Sequence, residues 1–297
     1  MKKRNRIAGF VLSLLTTAMC TVFEADTHPA RADNVMHIGH SLMEKEMPLF
    51  VKTLADEAKI PHSYGYQLII GSPLTYQWDI GNFDEETQKA KGRQGVDARA
   101  SLATGNFDAL ILCDATPVLT HLKWGSLESA PKFYELALRS NPRTRVYLYH
   151  FWPSLEAPNY DAAFTEELKA YETIADTMAQ KHATRFPNGK VMIVPVGAAV
   201  VELKRRIEAK QVPGIDNIRE IYADDIHLTP KGMYLVALVH FATLYGKDPT
   251  GMSARMEGQW GNVLIDLPIA TAAVFQEVAW KAVTTYKRSG VIPDPTE

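Results

Sequence analysis

Cysteine is scarce in this sequence, with two in 297 residues. One of them, Cys20, lies in the apolar run "IAGFVLSLLTTAMCTVF", which follows the basic "MKKRNR" and precedes Ala30-Arg31-Ala32. A basic start, an apolar stretch and a small-x-small site form the order of a secretory signal peptide. Cleavage after Ala32 is therefore expected, with export to the periplasm or the medium, and Cys113 would remain alone. An intramolecular disulfide is then impossible even in an oxidising compartment, and stability must come from the core. The competing reading is a retained anchor, because an apolar run of this length approaches the shortest membrane span. A lipid-modified Cys20 fits less well, since Met19 is bulky where that site needs a small residue.

Charge of one sign is lacking as well. Residues 1–32 hold five Lys/Arg and two Asp/Glu, so the remainder carries a formal −5 against −2 for the whole chain. That balance gives no electrostatic footprint for nucleic acid or an anionic membrane. No second apolar run is long enough to span a bilayer. Also missing are H-E-x-x-H or paired-cysteine spacings for zinc and the glycine-rich loops that hold phosphates, so no metal or other cofactor is expected. With no repeat, low-complexity tract or Ser/Gly linker, residues 33–290 are read as one domain and 291–297 as a frayed tail.

What is present is alternation. Short apolar runs interleave with longer segments of helical period, the pattern of βα units around a parallel sheet. Five strands are expected, at 34–39, 63–71, 107–113, 145–152 and 190–197. Helices are expected at 160–183 and at 41–59, where Leu42, Met43, Met47, Phe50, Leu54 and Ala58 share a face. Segments 71–97 and 210–232 are irregular and would cross the sheet's C-terminal edge, where open α/β folds bind ligands. The stretches 232–246 and 263–289 read as closing helices.

The first strand ends in "HIGHSLM", residues 37–43. A serine hydroxyl is a poor nucleophile near neutral pH and needs a histidine base, itself oriented by a third group. A strand ending at Gly39 and running straight into a helix would add a tight turn and unpaired N–H groups where an oxyanion could form. Taken alone, Ser41 fits a helix N-cap better than a nucleophile. The block "YADDIHLTPKG", residues 222–232, reverses that order. Its Asp224-x-x-His227 spacing lets a carboxylate bond one ring nitrogen while the other faces a nucleophile.

Together the two blocks resemble those of the SGNH, or GDSL-like, esterase and lipase superfamily. In that superfamily a Gly-Asp-Ser block follows the first strand and an Asp-x-x-His-Leu block lies near the C-terminus; here they read Gly39-His40-Ser41 and Asp224-Asp225-Ile226-His227-Leu228. The resemblance spans most of residues 34–245, although only the end blocks match sharply. It implies an α/β fold, a three-layer α/β/α sandwich with a mostly parallel five-stranded sheet of flavodoxin-like type. It also implies Ser41 as nucleophile, His227 as general base and Asp224 as orienter.

Two departures mark an atypical branch: His40 stands in place of the usual Asp or Asn, and Asp225 offers a second carboxylate beside Asp224. The superfamily's oxyanion hole joins the nucleophile's N–H, a glycine N–H after the second strand and an asparagine after the third. Ser41 and Gly71 fit the first two. No Gly-x-Asn follows the third strand, and Thr116 is the candidate substitute. Losing one such donor typically costs about 2.7–4 kcal/mol of transition-state stabilisation.

His40, Trp78, Asp114 and His150 are further candidates for the substrate pocket, with His121 and Trp124 in a loop near the same edge. Trp78 and Trp152 could form a sugar or acyl platform, or simply pack. His37 reads as a core histidine. The functional expectation is an exported serine esterase or deacylase acting on an acylated carbohydrate or a small acyl ester. Two alternatives stay open: an O-acetyltransferase of exported polysaccharide using the same triad, and a non-catalytic carbohydrate-binding protein on a degenerate scaffold.

Overall fold

The computed structural model describes residues 33–115 and 125–292. The expected signal segment, Thr116, His121, Trp124 and the residues from 293 on lie outside them. Six strands form the main sheet: β1 (Asp33–Gly39), β2 (His62–Leu68), β3 (Gln94–Gly95), β4 (Ala109–Leu112), β5 (Arg145–Tyr149) and β6 (Val191–Val194). Their order is β3-β2-β1-β4-β5-β6. All neighbours are parallel except β3, which runs antiparallel to β2. Without β3 this is the flavodoxin-like order, in which the winding reverses direction at the first strand.

The sheet therefore has six strands rather than the expected five. The additional strand is two residues long and lies inside the segment expected to be irregular, too short to show any period. Gly95 there has φ 74°, and its backbone lies so close to the Tyr66 carbonyl that no Cβ would fit. By contrast, β4 and β5 are buried on both faces, which is why they read as continuous apolar runs.

Nine helices occur among the described residues. On one face lie α1 (Glu46–Glu57), α7 (Val196–Glu208), α8 (Pro230–Tyr245) and α9 (Ile269–Thr285), with α8 packed between α1 and α9. Helix α8 is apolar nearly all round because it is buried nearly all round, from Gly232 to Leu244. The other face carries α2 (Leu74–Asp79), α4 (Ala98–Ala103), α5 (Ser126–Ser140) and α6 (Tyr160–Lys181), and α5 contacts each of the other three. The short α3 (Glu85–Ala90) lies in the excursion between β2 and β3. The result is the expected three-layer α/β/α sandwich.

Two expected helices are shorter than their apolar patterns. Residues 263–266 form β8 (Val263–Asp266), which pairs with β7 (Arg255–Glu257) in a hairpin before α9 begins. Likewise α1 starts at Glu46 and not at Ser41, because residues 40–43 close a turn with Met43 N–H donating to His40 C=O at 2.9 Å. Ser41 is thus not an N-cap. It sits on a turn between strand and helix, a position that leaves its side chain outside any regular ladder.

Candidate active site

The sheet's C-terminal edge at β1 and β4 is where the winding reverses, the usual crevice of open α/β folds. Gly39 ends β1 there. A Cβ at Gly39 would stand 2.8 Å from the Cβ of Cys113, just past β4, so only glycine lets the two strand ends approach this closely. Cys113 is a buried free thiol whose pKa is pushed up by burial and by the neighbouring Asp114. It packs behind the turn rather than serving as a nucleophile.

His40 braces that turn. One ring nitrogen, Nε2, lies 2.7 Å from the Asp114 carbonyl oxygen and must carry the proton to donate to it. Nδ1 then accepts from Leu42 N–H at 3.4 Å. The ring thereby links Leu42 in the turn to the end of β4. His40 is buried, so it supports the site from beneath instead of lining a pocket as expected.

Across the crevice the block before α8 is held by its own polar groups. Ala223 N–H donates to the His227 carbonyl at 2.8 Å, and Tyr222 bridges to Leu228, closing a small loop. Within it Asp224 uses both oxygens. Its Oδ1 accepts the N–H groups of Ile226 and His227 at 2.8 and 2.7 Å, and its Oδ2 lies 2.7 Å from His227 Nδ1. Those hydrogen bonds, from the backbone first and then from the imidazole, pull the Asp224 pKa down to about 2. The other ring nitrogen, Nε2, is 2.9 Å from Ser41 Oγ. Ser41, His227 and Asp224, 186 residues apart in sequence at their extremes, thus form one hydrogen-bonded chain. With the ionised Asp224 holding Nδ1–H, Nε2 is left as the acceptor of the serine proton.

Asp225 is turned elsewhere. Its carboxylate pairs with Arg219 at 2.6 Å, and its carbonyl accepts Leu155 N–H at 2.8 Å. Trp152, considered for a ligand platform, is buried, and its indole N–H donates to the Ile226 carbonyl at 2.8 Å. That bond ties the Asp224–His227 loop to the end of β5. The Trp78 ring stacks edge-on against Phe133 with 4.9 Å between centroids and lies under the Arg99 guanidinium. It serves the packing of α2 on α5 and α4.

Asp114 is buried at the end of β4, where Oδ1 accepts Leu74 N–H at 3.0 Å and Ala115 N–H at 2.9 Å. It joins β4 to the start of α2 and does not line an open pocket. His150, just past β5, points into the core. Its ring packs against Tyr171 and Phe164 at 5.1 and 5.4 Å, and burial lowers its pKa to about 3. Both corrections have one cause: a residue at a strand's end can face the crevice or the helix layer, and sequence position does not distinguish them.

Gly71 is exposed, with φ 65° and nothing within 4 Å of where a Cβ would lie. Gly39 pairs with Leu68 in the β1–β2 register, and Ile69 N–H donates to the Gly39 carbonyl at 3.1 Å. The loop bearing Gly71 therefore leaves the sheet beside the Ser41 turn. Gln77, which sequence reasoning passed over, fixes this loop. Its amide nitrogen donates to the Gly39 carbonyl at 2.6 Å and to Ser72 Oγ at 2.7 Å, and its own oxygens accept from Gln67. A polar residue in an irregular stretch gives no sequence sign that it will be buried. Among the described residues Ser41 N–H has no hydrogen-bond partner.

Among the described residues no group of three or more His, Cys, Asp or Glu side chains is arranged to hold a metal ion. A cavity of about 430 Å³ opens beside Arg143, Arg145 and Lys190, at the opposite, N-terminal edge of β5 and β6. It is remote from the Ser41–His227 pair.

No family model matches the chain, and no curated protein matches it. Solved structures do. A DUF4886 family protein from Bacteroides uniformis matches over 86% of this chain and 96% of its own, with a TM-score of 0.59 and 20% identity. A family 3 carbohydrate esterase from Clostridium thermocellum matches over 71% and 94%, with TM-score 0.44 and 14% identity. An acetyl xylan esterase variant from Geobacillus stearothermophilus matches over 73% and 96%, with TM-score 0.46 and 13% identity. At 20% identity the first of these establishes a shared fold, while the chemistry must be argued from the site itself.

Proposed function

We propose that the protein is an exported serine esterase or deacylase that hydrolyses an acylated carbohydrate or a small acyl ester. The observation that carries this reading is the Ser41–His227–Asp224 chain, with contacts of 2.9 and 2.7 Å and Asp224 held ionised. His227 Nε2 takes the Ser41 proton as Oγ attacks the ester carbonyl. The tetrahedral oxyanion accepts hydrogen bonds from Ser41 N–H and Gly71 N–H, and Thr116 is the candidate third donor. The imidazolium then protonates the leaving alcohol, leaving Ser41 acylated. Water, deprotonated by His227, attacks the acyl-enzyme and frees the acid. The partial exposure of the His227 and Asp224 side chains supports water as the acceptor.

The test is labelling of the protein by a fluorophosphonate probe alongside hydrolysis of p-nitrophenyl acetate. Wild type should label and turn over, and Ser41→Ala should do neither, with a rate at least a thousandfold lower. Native-rate hydrolysis by Ser41→Ala would remove the proposal. Export is tested separately, by locating the protein and sequencing its N-terminus.

A further inference from the structure

A buried side-chain amide is unfavourable unless its donors are met, and two glutamines beside the candidate site meet theirs in series. Gln67, on β2, and Gln77, on α2, are both buried. The Gln67 amide oxygen accepts Ala98 N–H at 2.8 Å, so its nitrogen is the end that faces Gln77. That nitrogen donates to the backbone and side-chain oxygens of Gln77, each at 2.9 Å. Gln77 Nε2 then donates its two hydrogens to the Gly39 carbonyl at 2.6 Å and to Ser72 Oγ at 2.7 Å. Ser72 Oγ in turn donates to the Ile69 carbonyl at 2.9 Å. A backbone N–H fixes one end of this relay and a backbone carbonyl the other, so neither amide can be turned round.

The relay joins two segments of the candidate site. Gly39 leads into the turn that bears Ser41, and its carbonyl accepts twice, from Gln77 and from Ile69 N–H at 3.1 Å. Ile69 and Ser72 bracket Gly71, and both are held through Ser72 Oγ. Ser41 N–H and Gly71 N–H, one on each segment, have no hydrogen-bond partner among the described residues. Gln77 itself is placed by α2, whose first residue, Leu74, donates its N–H to Asp114 Oδ1 at 3.0 Å, while the Asp114 carbonyl accepts from His40 at 2.7 Å. Gly39, His40, Asp114, Leu74 and Gln77 therefore close one ring of covalent and hydrogen-bonded links around the base of the Ser41 turn.

We propose that Gln77, oriented by Gln67, is a positioning residue for the oxyanion hole, setting the separation of Ser41 N–H and Gly71 N–H by tying together the segments that carry them. The inference rests on the serine-hydrolase reading. Apolar side chains of the same volume would fill this space without burying two amides, so the relay is not what packing alone requires. What it adds is a fixed distance between two loops. Oxyanion donors stabilise the transition state only when already aimed, and a displacement of about 1 Å costs on the order of a hundredfold in rate.

The experiment measures p-nitrophenyl acetate hydrolysis and the rate of fluorophosphonate labelling in Gln77→Met, in the double variant Gln67→Met/Gln77→Met and in Gln88→Met, with urea melts to show that each is folded. Methionine keeps the length and removes the donors. The double variant leaves neither amide without its partner and so covers the case in which the single one does not fold. Gln88 is a buried glutamine of the same excursion that bonds the Phe83 carbonyl and Asp97 instead, and it controls for the loss of a buried amide as such. In both Gln77 variants kcat and kcat/KM should fall equally, by roughly 30- to 300-fold, and the labelling rate should fall with them, because the donors act on the transition state. Gln88→Met should keep all three within about threefold of wild type. Wild-type kcat in a folded Gln77 variant overturns the proposal. So does a matching fall in Gln88→Met, or a rise in KM in place of the fall in kcat, the marks of a merely structural role. If wild type neither labels nor hydrolyses, the esterase reading fails and the catalytic role of Gln77 fails with it; if wild type is active and only the Gln77 variants disagree, that reading stands.

Discussion

The histidines of the crevice and those of the core put one side chain to opposite uses. His40 and His227 each engage both ring nitrogens, His40 with Asp114 and Leu42, His227 with Asp224 and Ser41. His37 and His150 are fully buried, and neither ring nitrogen of either has a partner among the described residues. His240, on α8, bonds the Val236 carbonyl through Nδ1 alone. Where partners exist the imidazole can hold or pass a proton at a defined nitrogen. Where they do not, burial keeps the ring neutral, with His150 at about 3, His240 at about 4 and His37 also lowered well below the ordinary value. What separates the two sets is therefore the hydrogen-bond partner and not nearness to the sheet's edge, since His150 and His40 both lie just past strand ends.

The widest expected gap between the two regions lies at the paired carboxylates. In Asp224→Asn the amide oxygen must keep accepting the Ile226 and His227 N–H groups, so the NH₂ faces His227 Nδ1. That forces Nδ1 to accept and places the proton on Nε2, where it can no longer receive one from Ser41. The hydrolysis rate should fall by roughly a hundred- to ten-thousandfold. Asp225→Asn loses only a partly exposed pair with Arg219 and should stay within about threefold of wild type. Steady-state kinetics on both variants decide it: comparable losses would mean that the two carboxylates share the role.

How much of this was legible beforehand follows from what each feature leaves in the sequence. β1, β4 and β5 leave apolar runs because both faces are covered, and the Asp224-x-x-His227 spacing is visible because one short loop supplies both groups. The two-residue β3 leaves no period. Gln77 and Trp152 matter through partners far along the chain, Gly39 and Ile226, and pairing of that kind has no local signature. Ser41 is expected from the sequence to open the helix after β1, and it lies instead on a turn ahead of α1. That turn is hidden in the sequence because Leu42 and Met43 continue the apolar pattern of α1 although they pack from outside the helix.

A smaller effect is expected at His40, the crevice histidine with no proton to transfer. His40→Ala leaves the Asp114 carbonyl and Leu42 N–H without their imidazole partner and opens space beneath the turn. Stability should fall by about 2–3 kcal/mol, and the rate by roughly tenfold as Ser41 loses its fixed position. His40→Asn restores an acceptor for Leu42 N–H but cannot reach Asp114, so it should recover part of the rate and less of the stability. Urea melts and kcat/KM for the two variants measure this; full rate in His40→Ala would show that the turn holds itself.

The smallest effect at neutral pH belongs to the core, and it grows as the pH falls. A histidine whose folded pKa is depressed is equally neutral in both states above about 6.5, so its stability contribution is complete there. As the pH drops below the unfolded value the unfolded chain binds the proton first. Stability is then lost down to the folded value, about 3 for His150 and about 4 for His240. Each such group adds a slope of roughly 1 kcal/mol per pH unit between pH 6.5 and 4, where most carboxylates remain ionised. His150→Leu removes one of them and also removes two buried nitrogens that have no hydrogen-bond partner among the described residues, at similar volume. At pH 7 the variant should unfold within about 1 kcal/mol of wild type, and at pH 5 it should be more stable by about 2 kcal/mol. Thermal melts of both proteins across that range read the difference directly. Parallel curves would mean that His150 keeps a bonded partner and belongs with His40 and His227 after all.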